Sequence, residues 1–295
     1  ATGTRPRVPQ LPGRELGRVF TLRSIADVEA VRPAVSDVDR VAIVGGGYIG
    51  LEVAAVLREL GKVVTIVEAE DRLLKRVTSH PVSQYFDALH RAHGVDVVTG
   101  VRVAGLIGES NVAGVVLACG RTIPAGAVLL AIGALPNVEI ADDAGIATGD
   151  GILVDAHGRT SAPDVFACGD CARFPSRRYA RSLRIESVQN AIDQAKCSAA
   201  TIAGRPMAHD PVPWFWSDQY RTKLQIAGLF DPTDTVSVEG EPGEGPFAVE
   251  YRRGGRLVAV DAIDNARAHM LARRRIAEDT SRDATAPAIA QTAQT

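Results

Sequence analysis

The chain's 295 residues suffice for two or three domains, and 46% hydrophobic against 23% charged residues is ordinary for a water-soluble globular protein. A net charge of −2 gives no whole-molecule field to attract nucleic acid or a membrane surface, and no apolar run approaches the ~20 residues of a membrane helix. Four cysteines (Cys119, Cys168, Cys171, Cys197) are too few for a secreted disulfide scaffold, and no charged-then-apolar leader is read at the start, so a cytoplasmic location is expected.

The sequence opens Ala1-Thr2-Gly3 without a methionine and runs into Arg5-Pro6-Arg7-Val8-Pro9, as if it began inside a domain. Residues 1–36 lack periodicity apart from a short helical pattern at Ile25–Val31, and are expected to be a domain remnant and linker. Val41-Ala42-Ile43-Val44 then reads as a buried strand, followed by glycines and a helix from Tyr48 to Leu60 that Gly61 stops. Val63–Val67 is the next strand. Pro81 opens a helix with Val82, Tyr85, Phe86 and Leu89 on one face, closed by Gly94. Short strands follow at Val95–Val98, Val101–Ile107, Val112–Ala118 and Val128–Ile132, and the alternation implies a parallel sheet with helical crossovers. Organisation changes near Gly133-Ala134-Leu135-Pro136-Asn137. Ile152–Val154 and Val165–Ala167 read as strands, and Glu186–Ala203 as a long helix. Beyond Pro211 strands dominate: Leu224–Leu229, Val236–Val238, Phe247–Tyr251 and Leu257–Ile263, before a helix from Ala266 to Ala277. The expected units are 37–138, 139–208 and 209–279, with a disordered Ala/Thr-rich tail at 280–295.

Gly45-Gly46-Gly47-Tyr48-Ile49-Gly50 holds the G-x-G-x-x-G pattern, weak alone but here set between a strand and a helix. Gly45 suits a tight turn, Gly47 a close approach to a pyrophosphate, and Gly50 the packing of helix on strand. Tyr48 and Ile49 open the helix whose first amides would face the phosphates. Glu68 ends the next strand, eighteen residues after Gly50, where a carboxylate accepts hydrogen bonds from ribose hydroxyls. A 2′-phosphate there would meet like charge, at about 4 kcal/mol per charge at 4 Å with an effective dielectric of 20. NAD is therefore expected over NADP, with Arg72 and Arg76 read as solvated side chains nearby.

Thr160-Ser161-Ala162-Pro163-Asp164-Val165-Phe166-Ala167-Cys168-Gly169-Asp170 resembles the second signature of two-dinucleotide flavoproteins. Glu186-Ser187-Val188-Gln189-Asn190-Ala191 and Pro213-Trp214-Phe215-Trp216-Ser217-Asp218-Gln219-Tyr220 resemble segments of bacterial FAD-dependent NADH:ferredoxin reductases, in the pyridine nucleotide-disulphide oxidoreductase superfamily. That resemblance runs from Ala1 to about Ala277. It implies an α/β fold of two Rossmann-like FAD/NAD(P)-binding domains, the FAD domain truncated, plus a C-terminal α+β reductase domain. It further implies that Asp170 binds the flavin's ribityl chain, that the Val188 amide meets the pyrimidine, and that Trp216 lies against the isoalloxazine. Glu52 and Glu186 would line the nicotinamide pocket, and Thr2, Gly3 and Gly133 are grouped with the cofactor-binding residues. By the same resemblance a hydride passes from NADH to FAD, and electrons leave singly to a small acidic [2Fe–2S] ferredoxin or a rubredoxin. No side chain acts as general acid or base in that transfer, so no catalytic residue is assigned, and the scattered cysteines and histidines give no metal-ligand spacing. The family's first glycine fingerprint, which holds the FAD pyrophosphate, has no counterpart here. A nucleotide-binding chain without turnover is therefore the alternative.

Other signals are weaker. Cys168 and Cys171 satisfy C-x-x-C, but Cys168 is read at the end of a buried strand and the residues between them belong to the flavin motif. His90 and His93 share a helix face and are read as solvated. Arg173, Arg177, Arg178, Arg181 and Arg184 form a basic run, with Arg273-Arg274-Arg275 as a second. Each is either a solvated face or a dock for an acidic protein.

Overall fold

The computed structural model describes residues 1–284. Among them no helix is long and apolar enough to cross a membrane. The chain begins with β1 (Thr4–Pro6), β2 (Val19–Phe20) and α1 (Ile25–Ser36), the helix starting at a capping box in which Ser24 and Asp27 satisfy each other's backbone amides. It continues through β3 (Arg40–Val44), α2 (Tyr48–Glu59), β4 (Val63–Val67), α3 (His80–Ala92) and β5 (Asp96–Val98). Next come β6 (Val103–Gly108), β7 (Val112–Leu117), β8 (Thr122–Pro124) and β9 (Ala127–Leu130). A parallel sheet forms in the order β2-β9-β3-β4-β5, with Ile43, Leu51, Ile66, Val82 and Phe86 wholly buried between sheet and helices.

Two expectations need correction here. β6, β7 and β8 stand apart as an antiparallel sheet, joined by only a few residues. Connections that short close hairpins, whereas parallel strands need a crossover of a dozen or more residues. The supposed linker is also structural. β2 lies parallel to β9, and Val35 of α1 packs into the core with Phe20, Leu22 and Val31 beside it.

The middle of the chain holds β10 (Ala134–Pro136), α4 (Glu139–Asp143), β11 (Thr148–Gly149), β12 (Gly151–Leu153), β13 (Ala172–Ser176), β14 (Arg181–Leu183) and α5 (Val188–Ile202). β10 pairs antiparallel with β1, tying the first residues to this crossing point, and β11-β12-β13-β14 form a small sheet. The strand expected at Val165–Ala167 is absent, leaving one bridge between Arg159 and Phe166. Asp164 turns the chain with φ +60°, and both Thr160 N and Oγ1 bind the Val165 carbonyl at 2.9 Å, so the segment closes on itself.

The last unit is an antiparallel sheet, β15 (Trp214–Gln219), β16 (Thr222–Gly228), β17 (Thr235–Glu239), β18 (Phe247–Arg253) and β19 (Arg256–Ile263), in the order β15-β16-β19-β18-β17. α6 (Ala266–Ala284) covers one face with Ala272 and Ile276, extending beyond the expected end at Ala277. The remainder of the expected tail lies outside the described residues. Alternation along β18 turns Phe247, Val249 and Tyr251 to the other face, where they join the core of the first unit. Tyr85 of α3 meets Phe247 at 5.0 Å between ring centroids.

A polar cluster is buried in that junction. Thr78 Oγ1 and Tyr251 Oη both donate to Asp261 Oδ2, while Ser79, at the N-cap position of α3, places its amide 3.2 Å from Tyr251 Oη. Burial pushes the Asp261 carboxyl up to about 6. A carboxyl whose folded pKa lies above its unfolded value contributes stability that is full below the unfolded pKa and lost as pH rises through the folded one. The melting-temperature advantage of the parent over Asp261→Asn should therefore shrink between about pH 4 and about pH 7. A difference independent of pH across that window would mean that Asp261 does not hold the proton.

Candidate functional site

The turn from β3 into α2 is built from contacts only glycine permits. Gly45 has φ +113°, and a Cβ there would sit 2.3 Å from the Ala131 carbonyl oxygen. A Cβ on Gly50 would lie 2.1 Å from Gly45 O, so the helix rests directly on the loop. Gly47, at the helix N-cap, differs: nothing lies within 4 Å of the position its Cβ would take. Protein backs the loop on one side, and on the Gly47 side it is open beside the first-turn amides of α2. That shape and donor set fit a pyrophosphate.

Glu68 stands at the lip of this opening. Its Oε2 accepts from Gly46 N at 2.6 Å and its Oε1 from Glu70 N at 2.8 Å, leaving lone pairs on both oxygens for hydroxyl donors. Arg72 is not solvated as expected. Its guanidinium donates to Thr78 O, Ser83 Oγ and Lys75 O. Arg76 is exposed and approaches Gly133, itself at φ +100° where the chain leaves β9. Of the residues that open α2, Ile49 is exposed, while Tyr48 packs on Phe215 of β15 at 4.4 Å between ring centroids. Burial drives the Tyr48 hydroxyl well above its usual range.

A second cluster gathers segments distant in sequence. Thr2 and Asn137 exchange hydrogen bonds, at 2.5 Å from Thr2 Oγ1 to Asn137 O and 2.8 Å from Asn137 Nδ2 to Thr2 O. Gly3, with φ +67°, accepts from Asn137 N at 3.0 Å. Arg23, which sequence reasoning passed over, links this segment to the Gly-Asp turn. Its Nε donates to Thr4 O and its Nη2 pairs with Asp170 Oδ2, both at 3.1 Å. The available signal was its place immediately before the Ser24–Asp27 capping box. Arg184 continues the network, with Nη1 at 3.2 Å from Asp170 O and 2.5 Å from Glu186 Oε1. Gln194 of α5 accepts from Gly169 N at 2.6 Å and holds the turn from below. Val188 is 64% exposed as the first residue of α5, which Ser187 caps by accepting from Asn190 N. A carboxylate beside an open helix start fits the polyol and ring end of a flavin. The sequence's single G-x-G-x-x-G pattern is the one at Gly45.

β15 packs against both α2 and α5 and so draws the two regions together. Glu52 of α2 accepts a 2.6 Å hydrogen bond from Ser217 Oγ, and burial raises its carboxyl against the lowering effect of that bond. Trp216 projects from the other face of β15 and is 39% exposed. Its neighbour Trp214 is packed, with Arg273 stacked 4.5 Å over its ring.

Other sequence signals resolve as structure. Cys171 is buried and its thiol turns to Cys168 O at 3.5 Å, both cysteines being free. His90, expected to be solvated, is wholly buried between Gln219 at 2.9 Å and Tyr220 at 3.2 Å, and His93 stacks on Tyr220. The expectation failed because helix spacing does not show what a second unit lays over that face. In the basic run Arg173 pairs with Asp150, and Arg178 donates to Ile276 O and Asp210 O. Arg177 and Arg181 are exposed, the latter 4.0 Å from Asp231.

Known proteins share this arrangement. Residues 1–195 match the family model for pyridine nucleotide-disulphide oxidoreductases, and residues 214–293 that for the reductase C-terminal domain. A 5,5′-dehydrodivanillate O-demethylase ferredoxin reductase subunit of Sphingobium sp. is 44% identical, covering 92% of this chain and 67% of its own. The ferredoxin reductase for the CYP199A2 system from Rhodopseudomonas palustris superposes with a TM-score of 0.92 at 40% identity, over 95% of this chain and 69% of that one. The reductase in a covalent putidaredoxin reductase–putidaredoxin complex gives a TM-score of 0.91 at 38% identity, over 94% and 68%. The chain spans about two thirds of the length of the curated relatives it matches. On both its glycine-loop geometry and these matches, the chain belongs to the pyridine nucleotide-disulphide oxidoreductase family, with a reductase C-terminal domain behind it.

Proposed function

We propose that this chain belongs to a cytoplasmic flavoprotein reductase that passes electrons from NADH through FAD to a [2Fe–2S] ferredoxin or rubredoxin of an oxygenase or cytochrome P450 system. The observation that carries the reading is the loop open at Gly47 with Glu68 at its lip. FAD, when bound, supplies the step from two-electron to one-electron chemistry. The protein's part is placement. α2 presents its amides to the dinucleotide phosphates, Glu68 takes the adenosine ribose, and Glu52 and Glu186 border the nicotinamide. Asp170, Val188 and Gly3 hold the flavin's polyol and ring end, with Trp216 against the ring. The names of the relatives support a ferredoxin partner, and four free thiols suit a reducing compartment.

A second reading, a chain that binds NADH without turnover, rests on the Gly45–Glu68 unit alone. The absorbance of the purified chain separates the two: stoichiometric bound flavin supports the first, and NADH binding without flavin the second.

The glycine loop gives a sharper test. Gly47→Ala adds a methyl group to open space, so melting should change little while NADH affinity falls at least about tenfold. Gly50→Ala drives a methyl group into Gly45 O and should lower melting as well. NADH affinity unchanged in Gly47→Ala, measured by fluorescence titration, would remove the dinucleotide from this loop.

Glu68 and the engagement of Arg72 within the protein lead us to expect NADH binding in preference to NADPH, with Glu68→Ala narrowing the gap. Equal affinities in the parent would show that Glu68 does not meet the ribose.

Arg177 and Arg181 should attract an acidic ferredoxin. Arg177→Glu with Arg181→Glu should weaken its binding at low ionic strength. The effect should fade as the Debye length falls from ~30 Å at 0.01 M to ~8 Å at 0.15 M. A double variant that binds as tightly as the parent at low salt would return both arginines to plain solvent exposure.

A further inference from the structure

From the surface of α3 to Glu52 runs an unbroken series of side-chain hydrogen bonds. Tyr220 Oη lies 3.2 Å from His90 Nδ1, and His90 Nε2 lies 2.9 Å from Gln219 Oε1. Gln219 Nε2 donates to Ser217 Oγ at 3.2 Å, and Ser217 Oγ donates to Glu52 Oε1 at 2.6 Å. His90, Gln219 and Ser217 are all buried, the most exposed of them at 1%. The chemistry of the links sets one direction. A carboxylate only accepts, so Ser217 gives it its proton and must accept from the Gln219 amide nitrogen. The Gln219 oxygen then needs a donor, which is His90 Nε2–H, and neutral His90 accepts at Nδ1 from Tyr220.

We propose that Tyr220, His90, Gln219 and Ser217 form a one-way hydrogen-bond chain that orients Glu52 and favours its carboxylate form, making His90 and Gln219 positioning residues for the nicotinamide pocket. The proposal rests on the reading that Glu52 borders the nicotinamide. The chain does not conduct protons, because an amide interrupts it. It acts by aligning dipoles, each donor polarised by the one behind it. Among the described residues Glu52 Oε2 has no partner, and a carboxylate held in this way offers that oxygen as an acceptor to a carboxamide N–H. Burial favours the neutral His90 that the direction requires. The groups facing the two ends are Tyr48, Arg58 and Glu59 from α2, Asp87 and His93 from α3, and Asp218 and Tyr220 from β15 and its turn. None of them offers Glu52 a substitute donor as near as Ser217.

The test follows the Glu52 carboxyl through a pH titration by 13C NMR in the full chain without NADH, its signal assigned by Glu52→Gln. Ser217→Ala and Gln219→Leu should move the midpoint up by about half a pH unit or more, while Ser217→Thr, which keeps the hydroxyl, should stay near the parent. His90→Phe, which removes the donor to Gln219, and the milder Tyr220→Phe, which lets His90 take its other tautomer, should move it the same way by less. In the double variant His90→Phe/Ser217→Ala the midpoint should move no further than in Ser217→Ala alone. An unmoved midpoint in Tyr220→Phe and in any folded His90→Phe would overturn the chain, as would fully additive shifts in the double variant. The pocket assignment fails separately: NADH affinity of Glu52→Gln within twofold of the parent would remove Glu52 from the nicotinamide site while the titration still judges the chain.

Discussion

The burial of one face of the C-terminal sheet against α2 and α3 is the constraint on which the other features depend. Phe247 and Tyr251 from the sheet and Phe86 from α3 are fully buried in a single core with Ile43 and Ile66. Side chains of this kind each contribute about 1.5–3 kcal/mol by leaving water. A junction so apolar tolerates polar groups only when they are paired, and the groups inside it are paired across the two units. Thr78 and Ser79 meet Tyr251 and Asp261, His90 meets Gln219, and Glu52 meets Ser217. Apolar area holds the sheet in place, and the polar pairs set where along the helices it sits.

That division of labour explains what could be read from sequence. The glycine loop was legible because its physics is local: each glycine answers to a neighbour within one strand, turn and helix. The place of Glu68 beside that loop was legible for the same reason, at the end of the adjacent strand. Four of the five strands of the last unit were also readable, since alternation such as Phe247-Ala248-Val249-Glu250-Tyr251 marks two different faces, whereas β15 was not among the expected strands. β2 was not readable, because two residues carry no period and it exists only as a neighbour of β9. The strand expected at Val165–Ala167 failed in the opposite way. Its apolar residues suited an extended segment, but the Thr160 hydroxyl and the turn at Asp164 claimed its backbone locally.

The site divides along the same line. Asp170 was singled out for its motif, yet what holds it is Arg23, far away in sequence and marked only by the capping box that follows it. His90 offered only its helix position, and its surroundings come from the turn between β15 and β16. Arg184 belonged to a run of like charges that suggested a single surface. The fold instead spends most of that run on internal acceptors. Spacing identifies residues that act through their own backbone neighbourhood. It does not identify those whose partners arrive from another unit.

Tyr48 follows directly on Gly47, so a single peptide unit separates the open side of the loop from the ring that packs on Phe215. Whatever seats itself against the first turn of α2 thus bears on the same helix end that β15 grips. The first turn of α2 is shared between the open loop and the C-terminal sheet, with Gly47 facing one and Tyr48 the other. A side chain that anchors the C-terminal sheet therefore sits one residue from the most open point of the glycine loop.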